Sequence, residues 1–247
     1  MVVWQLRSVE GRIRRLTRVD NQSSWYTRGM SSPSESPALS PREHARLPLV
    51  LLATLTVILA ASAWDPPAGQ FSWVLEVGPG IVGIAVLIGV YRRFPMSHFV
   101  YVCVFVHVLI LDYGGIYTYA ETPLGNWARD SFELSRNHYD RIGHIALGVF
   151  PAFIVREVLL RRTPLQRGGW LYFLTVSVIL AVAAFWELLE WWVALLVASD
   201  VGTAFLGSQG DIWDAQWDML LAQLGAMVAI PLLAKHHDRS IAKVTGG

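Results

Sequence analysis

The stretch Arg136-Asn137-His138-Tyr139-Asp140-Arg141-Ile142-Gly143-His144 runs without a break into Ile145-Ala146-Leu147-Gly148-Val149-Phe150-Pro151-Ala152-Phe153-Ile154-Val155. A dense set of ionisable side chains thus opens directly onto an apolar run. At the mouth of a membrane helix such groups are costly unless neighbouring segments pair with them. The remaining chain supplies partners of that kind. Glu187 and Glu190 lie inside one apolar segment, and Asp211, Asp214 and Asp218 stand at the head of another.

Composition agrees with a membrane reading. The chain is 53% hydrophobic and 16% charged. It contains several apolar runs of roughly 18 residues or more, the length that crosses a ~30 Å hydrocarbon core. The expected class is therefore all-α: a polytopic bundle of six transmembrane helices. The expected spans are 47–64, 71–91, 97–113, 141–160, 170–197 and 212–234, with Gly78-Pro79-Gly80 making a kink or a late start in the second. A net charge of +1 and the lack of a basic groove or nucleic-acid motif argue against a nucleic-acid partner and leave membrane lipids as the expected surroundings. The single cysteine, Cys103, excludes an intramolecular disulfide and reads as apolar packing.

Residues 1–46 are of different composition, with eight arginines, no apolar periodicity and the run Ser31-Ser32-Pro33-Ser34-Glu35-Ser36-Pro37. They read as a disordered basic tail. Met30 is an alternative start, which N-terminal sequencing of the native protein would decide. Residues 235–247 read as a second basic tail, with His236 and His237 solvated.

The basic residues also give an orientation. The first tail, Arg92 and Arg93, then Arg161, Arg162 and Arg167, and finally Lys235, Arg239 and Lys243 make sixteen of the twenty Lys and Arg, all on one side. That side is cytoplasmic by the positive-inside rule, so both termini are expected in the cytoplasm. Tryptophans 64, 73, 191, 192, 213 and 217 then fall near the outer interface. Asp140, His144, Glu187, Glu190, Asp214 and Asp218 all fall in the outer part of the bundle, while the inner halves look apolar. At 100° per residue, Asp140 and His144 are about 40° apart on their helix, as are Asp214 and Asp218. We therefore expect an outward-facing polar chamber. Its lid would be the long loop from Gly114 to Asp140, with Pro123-Leu124-Gly125-Asn126 as a turn and Phe205–Asp211 as a second rim.

The segments 114–120, 136–144, 187–192 and 205–219 resemble the YjdF-like family of bacterial inner-membrane proteins, over about Leu47 to Ala234. The resemblance implies a multi-pass inner-membrane protein and assigns no activity. A fainter likeness is to VanZ-like membrane proteins, in the order Asp140 and His144, then Glu187 or Glu190, then Asp214 or Asp218. It implies envelope or lipid-linked chemistry.

Three functions remain open. In the first, an enzyme, a divalent metal would be held by His138, His144, Asp211, Asp214 and Asp218, with His107 as a further candidate. Asp140, His144, Glu187 and Glu190 would carry acid–base roles. Tyr117, Tyr119, Arg136, Asn137, Arg141 and Gln209 would bind a lipid or lipid-linked substrate. The second is an ion- or proton-coupled transporter using Glu187, Glu190 and His107. The third is a structural or accessory protein whose polar residues are helix–helix glue. No zinc-protease, nucleophile-elbow or P-loop motif selects among them.

Overall fold

A computed structural model describes residues 39–197 and 208–246. The basic tail up to residue 38, and residues 205–207 of the expected second rim, lie outside the described residues. Among the described residues, eight α-helices follow in order: α1 Pro41–Ser62, α2 Gln70–Val90, α3 His98–Tyr117, α4 Pro123–Ser131, α5 Tyr139–Val149, α6 Pro151–Arg162, α7 Gly169–Leu196 and α8 Asp214–Thr245. Taking α5 and α6 as one span, six segments among the described residues are long and apolar enough to cross a membrane.

Local chemistry accounts for the boundaries. Ser40 and Glu43 form a capping box that starts α1 six residues before the apolar run. Ser97 caps α3 by accepting from the Val100 N–H. The expected fourth span begins earlier, at Tyr139, and breaks at Phe150, because Pro151 has no N–H to continue the ladder. The Gly78-Pro79-Gly80 site does not interrupt α2, which is continuous.

The 114–140 region is not an open loop. Helix α3 continues to Tyr117, a 3₁₀ turn spans Tyr119–Glu121, and α4 follows. Pro123 to Asn126 is the first turn of α4, with proline at the first position, where its missing N–H costs nothing. Helix α8 likewise runs through the expected C-terminal tail to Thr245.

The core is a seam between α5–α6, α7 and α8. Ala152, Val176, Ile179, Ala183, Ala222, Ala226 and Ile230 form one buried cluster, and Met96, Val100, Tyr101, Cys103, Phe153 and Ala229 form another. Small residues set the approach of α5 to α8. A Cβ on Gly148 would overlap the Ala222 backbone, and one on Gly225 would meet the Ile145 carbonyl at 2.6 Å. Such contacts bring backbones together where lipid gives no hydrophobic drive. On the other flank, α1 and α2 both lean on α3. At one end Asp112 ties these three helices, accepting from Ser62 Oγ at 2.6 Å and from Trp73 Nε1 at 3.2 Å. Trp73 is thus a buried hydrogen-bond donor and not the interfacial anchor expected of it, whereas Trp64, Trp191, Trp192, Trp213 and Trp217 are exposed.

A candidate metal centre at the head of α5

Helix α5 begins at Tyr139, so Asp140 lies in its first turn and His144 one turn further, on the face toward α7 and α8. Helix α8 brings Asp218 and α7 brings Glu187 to the same point. The His144 Nε2 atom lies 3.6 Å from Asp140 Oδ1, 3.7 Å from Glu187 Oε1 and 3.9 Å from Asp218 Oδ2. These gaps exceed a hydrogen bond. They match the spacing of ligands around a shared ion, since atoms ~2.1 Å from a tetrahedral metal sit roughly 3.4 Å from one another. One ligand atom each from Asp140, His144 and Asp218 lies within 4.8 Å of the others, and all three side chains are buried. His144 Nδ1, Glu187 Oε1 and Asp218 Oδ1 are buried without a hydrogen-bond partner among the described residues. Two buried carboxylates, a half-buried third and one buried imidazole, with so little internal satisfaction in a membrane bundle, form a site suited to a cation.

The remaining acids and the arginines form a collar above this group. Arg136 Nη1 donates to Asp214 Oδ1 at 2.5 Å and lies 3.7 Å from Asp211, while Arg141 Nη2 donates to Asp211 Oδ2 at 2.9 Å. Asp211 and Asp214, expected among the metal ligands, are therefore paired with the two arginines, and neither joins the three-ligand group. The Arg136–Asp214 pair is buried, while Arg141–Asp211 is partly exposed, with Arg141 also over the Trp217 ring.

Two of the expected substrate-binding residues hold the collar together. Asn137 is fully buried, donates from Nδ2 to Thr122 O and Asn126 Oδ1, and accepts at Oδ1 from the Tyr139 N–H. Its side chain fills the space where a Cβ on Gly125 would stand. Gln209 bonds the Asn137 backbone in both senses, accepting from its N–H at 3.0 Å and donating to its carbonyl at 2.8 Å. Gln209 makes these two hydrogen bonds from φ 48, a left-handed conformation rare for a residue with a side chain.

Tyr119 is wedged between Gly114 and Gly143, where any Cβ would strike its ring. Burial among Glu76, Tyr139, Asp140 and Glu190 keeps its hydroxyl protonated, with a pKa raised well above the usual value. Tyr117 stands apart, half-buried and edge-on to Tyr113. His138 sits at the head of α5, outside the ligand group. Partial burial and then Arg141 and Arg136 lower its pKa, which favours the neutral ring.

Beside the Asp140–His144–Asp218 group lies a cavity of about 70 Å³, lined by Glu76, His107, Tyr119, Asp140, His144, Trp186 and Glu190, among others. That volume holds a few waters and no lipid chain. Glu190 faces this cavity, one turn from Glu187. The buried His107 Nδ1 has no partner among the described residues. Glu76 was not singled out in the sequence. Its signal was a lone acid in the apolar run Trp73-Val74-Leu75-Glu76-Val77.

The opposite end of the bundle is not sealed by apolar residues alone. Glu157, fully buried, accepts from the Ser97 N–H, from Arg161 and from His237 Nε2 at 3.0 Å. Arg156 contacts His237 Nδ1 at 2.9 Å and Asp238 at 2.8 Å. A guanidinium only donates, so Nδ1 accepts and Nε2 carries the hydrogen given to Glu157. His237, expected to be solvated in a basic tail, is fully buried because α8 continues past the apolar run.

The family model described as "Predicted membrane protein (DUF2238)" matches residues 47–239. The chain is 40% identical over 200 residues to the inner membrane protein YjdF of Escherichia coli (strain K12), covering 78% of this chain and 93% of that relative. No solved structure matches the chain.

Proposed function

The chain belongs to the DUF2238 family of predicted membrane proteins, and from that premise we propose that it is an inner-membrane enzyme built around a divalent metal. Asp140, His144 and Asp218 hold the ion and Glu187 stands beside it. The observation that carries this reading is the set of 3.6 to 3.9 Å gaps between His144 Nε2 and three carboxylates, too long for hydrogen bonds and suited to a shared ion. Oxygen donors with one imidazole favour Mn²⁺, Fe²⁺ or Zn²⁺ over Ca²⁺. A bound metal would polarise a phosphoryl or carbonyl oxygen or lower the pKa of a water. In this reading Glu187 takes a proton, and the cavity beside His144 and Asp140 has room for water.

The substrate class we assign is a lipid or lipid-linked envelope molecule with an anionic head group. Its support is the collar. The Arg141–Asp211 pair is accessible enough for an incoming phosphate to displace the Asp211 carboxylate and take the guanidinium. The test is thermal unfolding of the purified chain with a chelator and with metal restored. Metal at a hundred times its Kd stabilises by about 2.7 kcal/mol. The wild type should lose melting temperature in chelator and regain it with Mn²⁺ or Zn²⁺, and His144→Ala should respond to neither. A wild type indifferent to chelator sinks the proposal and leaves the polar groups as helix glue.

A second reading, an ion- or proton-coupled transporter, is favoured by one feature: the cavity joins Glu76, Glu190 and the unpartnered His107 Nδ1 to the same site. It predicts flux into proteoliposomes that Glu190→Gln abolishes and a chelator leaves unchanged.

A further inference from the structure

Helices α1 and α2 share α3 as a support and meet at one end, where Trp73 Nε1 donates to Ser62 Oγ at 3.2 Å, while their backbones stay apart. Between them runs a groove of about 340 Å³ with walls of Leu52, Leu55, Ile84 and Ile88 and a floor of Val104 and Phe105. Four of its wall residues also line a second hollow that reaches Leu59 and Ile81, so the groove is continuous along both helices. From Ala45 to Leu59 it spans roughly 21 Å, more than the ~15 Å of one leaflet's hydrocarbon.

We propose that this groove is a binding site for one anionic phospholipid, with an acyl chain lying between α1 and α2. Two observations favour that occupant. The first is shape. From Ala45 to Leu55 the groove runs about 15 Å between two rows of aliphatic side chains. That length and lining suit an acyl chain in one leaflet. The second is charge at the mouth. Arg92 lines the groove, and Arg42, Arg46 and Arg93 are exposed in the adjoining turns of α1 and the α2–α3 connection. His44 joins these turns, its Nδ1 meeting the Tyr91 hydroxyl and its Nε2 the Met96 carbonyl. The nearby acids are engaged elsewhere: Glu43 caps Ser40, and Glu157 is held by Arg161 and His237. A phosphate at the membrane surface would therefore meet Arg92 and Arg93, with Glu43 the exposed acid beside Arg46 among the described residues, its chain already aligned with the apolar slot.

The experiment is native mass spectrometry of the full chain in mild detergent, with equimolar phosphatidylglycerol and phosphatidylcholine of identical acyl chains. One phosphatidylglycerol should be retained per chain, with about a tenfold preference, the scale expected for one or two basic residues near a head group. Arg92→Glu should bring that preference near parity. Ile84→Trp, which fills the slot from its lipid-facing wall, should abolish retention while the melting temperature holds. Equal retention of both lipids, or undiminished retention by Ile84→Trp, overturns the site and leaves ordinary surrounding lipid. A dimer that disappears with Ile84→Trp also overturns it, in favour of a second copy.

Discussion

At the scale of single residues, Arg136 is the side chain on which the collar depends. It is buried with Asp214, and removing one member of a buried pair leaves the other charge uncompensated. Arg136→Gln should cost about 3 kcal/mol or more. Arg141→Gln, at a more exposed pair, should cost no more than about 1 kcal/mol. Chemical unfolding of the two variants in one detergent checks that order. Asp214→Asn should likewise destabilise and keep the metal, while Asp218→Asn should lose it. The sequence showed that Asp140 shares a face with His144, and Asp214 with Asp218, because helical spacing alone decides that. It could not show which aspartate meets an arginine and which meets His144. That choice depends on the register of α8 against α5, which is set by the contacts of Gly148 and Gly225. Glu76 escaped for a related reason: a lone acid on a helix has no visible partner until another helix faces it.

Among the elements, the α5–α8 pair does most to shape the site. Gly148→Leu would drive a side chain into the Ala222 backbone, which cannot move without separating the helices. We expect loss of folded protein on size-exclusion chromatography. Gly83→Leu, at a position with open space, should elute as wild type. Hydropathy made the six spans legible, because an apolar run matched to the bilayer has few alternatives. The short elements were less legible. Helix α4 is only nine residues long, and Pro123 suits either a turn or a first helical position. The last turns of α8 read as tail because they are polar. They are held by specific bonds, such as the Phe99 N–H to Ser240 Oγ at 3.0 Å and the Leu39 N–H to the Lys243 carbonyl at 3.0 Å.

Across the whole molecule, two buried polar clusters sit at opposite ends of the α5–α6 span. His144 and Glu157 are roughly 20 Å apart along it. Groups that distant, without shared partners, should act independently. Glu157→Gln should lower the melting temperature and keep the metal, and its effect should add to that of Asp218→Asn. The Lys and Arg distribution further predicts that a fluorescent protein fused after Gly247 lies in the cytoplasm and fluoresces. A dark but intact fusion would reverse the topology and turn the metal site inward. The most direct measurement is the metal content of the purified chain by mass spectrometry, for the wild type and for His144→Ala, Asp218→Asn and Asp214→Asn. The account predicts one divalent ion per wild-type chain, its loss from the first two variants and its retention in the third. A metal-free wild type, or an ion that all three variants keep, would contradict it.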